Sequence, residues 1–212
     1  MYQITDVVKH LLILNVLMFF GTMLMGEPTG STVADVDWGR LQLAMFYPTS
    51  PFFQPYQIVT HMFMHGDLGH LFFNMFALFM FGPPLEVSFG PRNFLFYYFF
   101  TGFGALGLYL FVRFLELKYF DGSPILINTP MLGASGAIFG LLLGYGMLFP
   151  NNILQLIFPP IALKAKYFVA IYAGIELFLG LGNFNTGVAH FAHLGGALFG
   201  LLLILYWRST NR

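Results

Sequence analysis

Six apolar runs separated by helix breakers leave this chain one kind of architecture. The runs cover roughly residues 7–25, 68–81, 93–114, 135–149, 167–181 and 188–207. Between them stand Gly26-Glu27-Pro28, Gly82-Pro83-Pro84, Asp121-Gly122-Ser123-Pro124, Pro150-Asn151-Asn152 and Gly182-Asn183, residue types that end helices and open turns. In hydrocarbon every backbone N–H and C=O must be bonded internally, so runs of this kind become helices. Composition agrees: the 212 residues are 58% hydrophobic and 8% charged, against about 45–50% and ~25% in ordinary soluble domains. The expected fold is an all-α membrane protein, a six-transmembrane-helix bundle forming a single domain over residues 1–212.

Several runs fall short of the ~20 residues of an ordinary span, which predicts a locally thin bilayer or partial spans lining a cavity. The first run follows Lys9-His10 without a small-residue cleavage site and is read as a retained span. The stretch 153–163 is apolar but holds Pro159-Pro160, and is expected to hug the membrane as a loop. The long connection 27–57 carries Trp38, Phe46, Tyr47, Phe52 and Phe53 among its prolines, a composition suited to a membrane-embedded first outer loop. With both termini inside, the inner face collects Lys9, Arg92, Lys164, Lys166, Arg208 and Arg212, and the outer face Arg40, Arg113 and Lys118. That bias supports an N-in, C-in topology. The net charge is zero, so no basic face exists for nucleic acid. The lack of cysteine excludes disulfides, thiol nucleophiles and Cys-ligated zinc.

Polar residues inside the runs point to chemistry. Ser135 opens a run that gives only about 22 Å of helix before Pro150, against a hydrocarbon core of ~30 Å, so its hydroxyl lies roughly 8 Å below the outer face. His193 lies about 21 Å above its own inner boundary by the same rise. His70 and Asn74, one turn apart on the second run, reach similar depth. Small residues recur every fourth position as Gly136, Gly140, Gly144 and as Ala192, Gly196, Gly200. Such stripes let two helices approach closely, and would bring Ser135 and His193 together. A serine hydroxyl needs a base to take its proton, and His193 can return that proton to a leaving amine. The amide of Asn74, the ring of His70 and the Ser135 backbone N–H are donors for an oxyanion. No clear third carboxylate stands out: Asp67 is expected near the outer boundary and Glu176 sits in the fifth run at an undetermined distance. A Ser-His dyad is the simpler reading.

Gly133-Ala134-Ser135-Gly136, the run His65…His70-x-x-x-Asn74, and Ala192-His193-Leu194-Gly195-Gly196 with Gly200 resemble the three signatures of the rhomboid intramembrane serine proteases. The resemblance extends over about residues 54–207 and implies Ser135 as nucleophile and His193 as general base. It implies His70, Asn74 and the Ser135 amide as the oxyanion hole, with Gly133 in the same substrate-binding set. Phe139 is expected to stack on His193, Glu86 to be a structural carboxylate in the turn after the second run, and Gly136, Gly196 and Gly200 to pack near the site. The fifth run and residues 182–187 resemble a movable gate and cap. Tyr56-Gln57 stands where many members carry Trp-Arg, which bears on loop anchoring. Without an added domain or seventh span, the chain looks like a minimal bacterial form of the inner membrane.

Simpler readings exist for single residues. Ser135 alone could be a helix N-cap or packing residue. His61 with His65, and His190 with His193, have metal-ligand spacing. No His-Glu-x-x-His and no nearby acid completes a metalloprotease site, so no metal and no cofactor is expected. His61 and His65 are expected to bond loop backbone, and His190 to face the cavity without a catalytic role. The expected partners are single-span membrane proteins and the lipid bilayer. A catalytically silent relative that binds spans, or a small transporter, are the alternatives. The apolar inner halves of the fourth and sixth runs disfavour a pore.

Overall fold

The computed structural model describes residues 3–26, 37–119, 124–156, 160–182 and 189–210. Among them run α1 (Asp6–Met23), α2 (Trp38–Leu43), α3 (Gln57–Thr60), α4 (Leu68–Phe89), α5 (Pro91–Tyr119), α6 (Ser135–Leu148), α7 (Ala165–Leu181) and α8 (His190–Thr210). Two short strands, β1 (Ile153–Gln155) and β2 (Ala162–Lys164), pair antiparallel between α6 and α7. The six long helices correspond to the six apolar runs. Four of them, α1, α4, α5 and α8, are long and apolar enough to cross a membrane. The other two are shorter, α6 at 14 residues and α7 at 17.

α6 lies at the centre, flanked by α5, α8, α4 and α7, while α1 packs on the outside against α4. The apolar surplus turns outward. Leu17, Phe72, Phe73, Val87 and Phe178 are all exposed, which suits hydrocarbon rather than water. α1 shows the logic of a peripheral helix: it buries Val8, Leu11, Asn15, Phe19 and Thr22, residues spaced by three and four on one face.

Two boundaries differ from the sequence expectation. Gly82-Pro83-Pro84 does not end the second span. α4 continues to Phe89 and stops at Gly90, whose φ is +78°. Proline removes a donor and crowds the preceding turn, but neighbouring helices can re-satisfy such backbone in a membrane protein. Glu86 therefore sits within α4 rather than in a turn. Buried there, its carboxylate accepts from Thr5 Oγ1 at 2.5 Å, Val7 N at 3.1 Å and Val8 N at 2.9 Å. It caps the first turn of α1, whose amides have no partner inside the helix. Within the stretch expected as a loop after α6, Ile153–Gln155 and Ala162–Lys164 instead pair as β1 and β2; Pro159 lies outside the described residues.

The first outer loop is pinned by Gln57, which is fully buried. Its Oε1 accepts from Gln54 N at 3.1 Å and Phe46 N at 3.4 Å, and its Nε2 donates to Phe52 O at 3.0 Å and Gln42 O at 3.2 Å. Tyr56 adds a bond from its hydroxyl to Gln42 Oε1 at 3.1 Å. Tyr56-Gln57 thus anchors the loop through an amide in place of a guanidinium. Gln57→Leu strands several buried backbone groups, each worth ~1–3 kcal/mol. Its expected result is a melting point lowered by several degrees, measured in detergent against wild type.

His61 Nδ1 lies 2.8 Å from Gln57 O, whereas both ring nitrogens of His65 lack a hydrogen-bond partner among the described residues. Burial holds each imidazole down, to about 4. The folded loop therefore cannot take up protons that the unfolded chain accepts near 6.5. Stability is lost progressively as pH falls from about 6.5 toward 4.

Candidate active site

α6 and α8 meet backbone to backbone. A Cβ added to Gly196 would sit 1.8 Å from the carbonyl oxygen of Gly136, and one added to Gly200 would sit 3.3 Å from Gly140 Cα. On its other side the α6 stripe faces α5, where Ala105 lies against Gly136 and Thr101 against Gly140. Tyr97 Oη donates to Gly140 O at 2.8 Å and ties the same layer together. This contact fixes the relative height of the two helices, and so of the first residue of α6 and the fourth of α8.

Those residues are Ser135 and His193. His193 Nε2 stands 2.9 Å from Ser135 Oγ, the separation a proton transfer requires. The ring is held flat against Phe139, with centroids 4.1 Å apart and planes 8° from parallel. The stack continues from Phe139 to Tyr172 at 5.2 Å, and from Tyr172 to Phe168 at 5.7 Å. The Phe139 face of α6, backed by aromatic rings of α7, confines the imidazole.

A carboxylate completes the cluster. Glu176 of α7, 5% exposed, places Oε2 2.6 Å from His190 Nδ1 and 3.1 Å from His193 Nδ1. The expectation that no acid stands near these histidines does not hold, and His190 turns to Glu176 rather than simply facing the cavity. The His193 contact is at ion-pair distance but lacks the alignment of a hydrogen bond; such contacts commonly tighten when substrate binds. The sequence offered one clue to Glu176: an ionisable residue in the middle of an apolar span. It could not show which face of α7 would turn toward α8.

On the other side of Ser135 stands His70, in the first turn of α4. Asp67 caps that helix, its Oδ1 accepting from His70 N at 2.8 Å. The Gly66 N–H donates to His70 Nδ1 at 3.3 Å. A nitrogen that accepts carries no hydrogen, so this bond leaves the hydrogen of neutral His70 on Nε2. That atom faces the Gly133–Ser135 turn: a Cβ on Gly133 would lie 3.0 Å from His70 Nε2 and 3.4 Å from Ser135 Oγ. Gly133 has φ +129°, a conformation that favours glycine. Its N–H donates to His61 O at 2.9 Å. Gly133 therefore contributes space rather than a donor, and ties the turn to the first outer loop. The Met45–Met131 bridge, bonded both ways at 2.8 Å, makes a second tie. Asn74, buried one turn deeper, gives one Nδ2 hydrogen to His70 O at 2.9 Å and, among the described residues, keeps the other. Ser135 is the first helical residue of α6, so its N–H has no partner within the helix.

The expected cap at 182–187 lies outside the described residues except Gly182. The expected gate, α7, buries only Ala165 and Glu176.

Fold and site together define a helical integral membrane protein whose serine, histidine and carboxylate meet beneath the converging first turns of α4, α6 and α8. The family model of the Rhomboid domain matches residues 53–210, and the chain belongs to the rhomboid family. It is 33% identical to the mitochondrial Rhomboid protein 1 of Saccharomyces cerevisiae over 171 residues, 78% of this chain and 45% of that protein. It is 31% identical to the mitochondrial RHOMBOID-like protein 12 of Arabidopsis thaliana over 145 residues, 66% of this chain and 43% of that one. With the Rhomboid protease AarA of Providencia stuartii the identity is 27% over 199 residues, 91% of this chain and 69% of the relative. The chain thus spans under half the length of the two mitochondrial relatives.

Proposed function

We propose that this rhomboid is a serine endopeptidase that cleaves transmembrane segments of other membrane proteins near the outer membrane face. The observation that carries the reading is the 2.9 Å contact between Ser135 Oγ and His193 Nε2, on two helices locked together by glycine. His193 takes the hydroxyl proton as Ser135 attacks the scissile carbonyl, then returns it to the leaving amine. His70 Nε2–H, the free Asn74 amide hydrogen and the Ser135 N–H supply donors for the oxyanion, and the positive end of the α6 dipole adds to them. The reaction involves no metal and no cofactor.

Glu176 extends the dyad. Set against His193 Nδ1, it holds the hydrogen on that nitrogen, leaves the Nε2 lone pair toward Ser135, and stabilises the imidazolium that forms. Glu176→Gln keeps the shape and removes the charge. Its expected result is turnover lowered by about two orders of magnitude with KM little changed, since the loss falls on the transition state. Steady-state cleavage of a single-span reporter in liposomes reads both constants, and turnover like wild type would return the site to a bare dyad.

Substrate must come from the bilayer, and the wall with least buried surface is α7. Tyr167, Ile171, Phe178 and Leu181 are all more than half exposed, consistent with sideways access past this helix. A helical peptide bond is shielded by its own turn, so segments with small or helix-breaking residues are the expected substrates. The basic-residue bias supports cytoplasmic termini.

The direct test is labelling with a fluorophosphonate, which captures an activated serine. Wild type should label at Ser135, and His193→Ala should label at least ~100-fold more slowly, in line with the usual worth of a general base. Equal labelling of both would remove His193 from the role of base.

A further inference from the structure

Glu176, His190 and His193 form a cluster whose composition goes beyond what acyl transfer needs. One ligand atom from each residue lies within 4.8 Å of the other two. On both histidines the nitrogen turned toward Glu176 Oε2 is Nδ1, at 2.6 Å and 3.1 Å. All three side chains are buried. Two imidazoles and one carboxylate are a donor set for a borderline transition cation, Zn2+ above all, with water in the fourth position. Ligand bonds of ~2.0–2.1 Å in a tetrahedron place the donors about 3.3 Å apart. The Glu176–His193 separation already meets that figure, and the Glu176–His190 contact has to open by a fraction of an ångström.

We infer that Glu176, His190 and His193 form an inhibitory transition-metal site that switches off the base of the proposed reaction. The inference rests on His193 serving as that base. A neutral imidazole has one N–H and one lone pair. In the active arrangement the hydrogen is on Nδ1 beside Glu176, and the lone pair on Nε2 accepts from Ser135. Coordination forms a Zn–Nδ1 bond using the Nδ1 lone pair, so the hydrogen moves through solvent from Nδ1 to Nε2. No electron is transferred and His193 releases no net proton. Its Nε2 now donates instead of accepting, and Ser135 has lost its acceptor. The same ion withdraws Glu176 from its place beside the ring, and ties α7 to α8 through two ligands on α8 and one on α7.

Charge and softness set the selectivity. The single carboxylate leaves a dication poorly neutralised, which hard ions such as Mg2+ and Ca2+ do not tolerate without more oxygen ligands. Imidazole nitrogen suits Zn2+, Cu2+, Ni2+ and Co2+.

The first test reads binding without catalysis. Ser135→Ala protein in detergent is titrated with Co2+, and the visible absorption of a tetrahedral Co2+ centre is followed. The expected result is a saturable band at one ion per chain, displaced by Zn2+ and unaffected by Mg2+. Excess Zn2+ should raise the melting point of the same protein by about 5 °C, the scale expected when ligand is ~100-fold above its dissociation constant. His190→Gln and, as an independent variant, Glu176→Gln should each weaken binding by at least ~100-fold, since losing even a ligand's outer partner costs 10–100-fold. No band in the Ser135→Ala protein, which retains all three ligands, would overturn the site. So would a band unchanged in both ligand variants.

The second test reads inhibition. Wild-type cleavage should fall at least tenfold in Zn2+ and return on adding a chelator, while His190→Gln, compared with its own rate in chelator, should need ~100-fold more Zn2+. Activation by Zn2+ and loss of activity in chelator would overturn the inhibitory assignment and make the cluster a metal-dependent hydrolytic centre. Should wild type prove unable to cleave any span, the Co2+ titration still decides whether the metal site exists, so failure of the proteolytic reading and failure of this one remain separate results.

Discussion

Ser135→Ala should abolish cleavage of a single-span reporter, with turnover falling by four orders of magnitude or more while the protein keeps its fold. The size of the loss follows from the chemistry. With no Oγ there is no acyl intermediate, and His193 and the oxyanion donors can only orient a water, a residual route that is slow in related constellations. The fold should survive because, among the described residues, Oγ makes no structural bond besides its contact with His193, and serine and alanine differ by one atom at the start of a helix. Its melting point should stay within a degree or two of wild type. Measuring turnover and melting on the same purified sample separates the two effects. Cleavage within tenfold of wild type would place the nucleophile elsewhere.

Gly196→Ala should do comparable damage for the opposite reason: it leaves every reacting group in place and removes the contact that sets their spacing. The added methyl would lie 1.8 Å from Gly136 O and 2.8 Å from its carbonyl carbon. Both are backbone atoms in a central helix, so no rotamer change relieves the overlap and α8 must move away from α6. Overpacking of flexible side chains costs ~1–3 kcal/mol, and rigid backbone should exceed that range. Once the helices separate, Ser135 Oγ and His193 Nε2 leave hydrogen-bond reach, and a misplacement near 1 Å already costs ~100-fold in rate. The expected outcome is a marked drop in melting point, or failure to accumulate, with residual protein essentially inactive. Gly107→Ala is the control, since a Cβ there meets nothing within 4 Å. A Gly196→Ala protein with wild-type stability would mean that the stripe is not where α6 and α8 meet.

Much of this architecture was legible in the residues. Six apolar runs became six long helices, and the four-residue spacing of glycine on two runs identified the pair of helices that touch. What escaped was rotational and local. Glu176 has the residue type of a functional group, but nothing in a nearly uniformly apolar α7 says which way it faces. That is decided by packing against α8. Pro83 and Pro84 read as a terminus because proline disrupts an isolated helix, whereas α4 continues through them inside the bundle. The strand pair after α6 was hidden because its strands are only three residues each, too short for alternation to register. The bond from Gly133 N–H to His61 O was not legible either, since it joins segments that only tertiary structure brings together.

The placement of Glu176 has a consequence for timing. Ser135 and His193 ride on helices with no slack between them, whereas the carboxylate rides on the helix with the least buried surface. Any outward swing of α7 takes the carboxylate along and leaves the imidazole without its negative neighbour. On the proposed reading, hydrolysis would be weakest with α7 swung out and strongest once it packs back against α8 around a captured segment. A bystander peptide that brushes past the opened helix would then meet a blunt instrument.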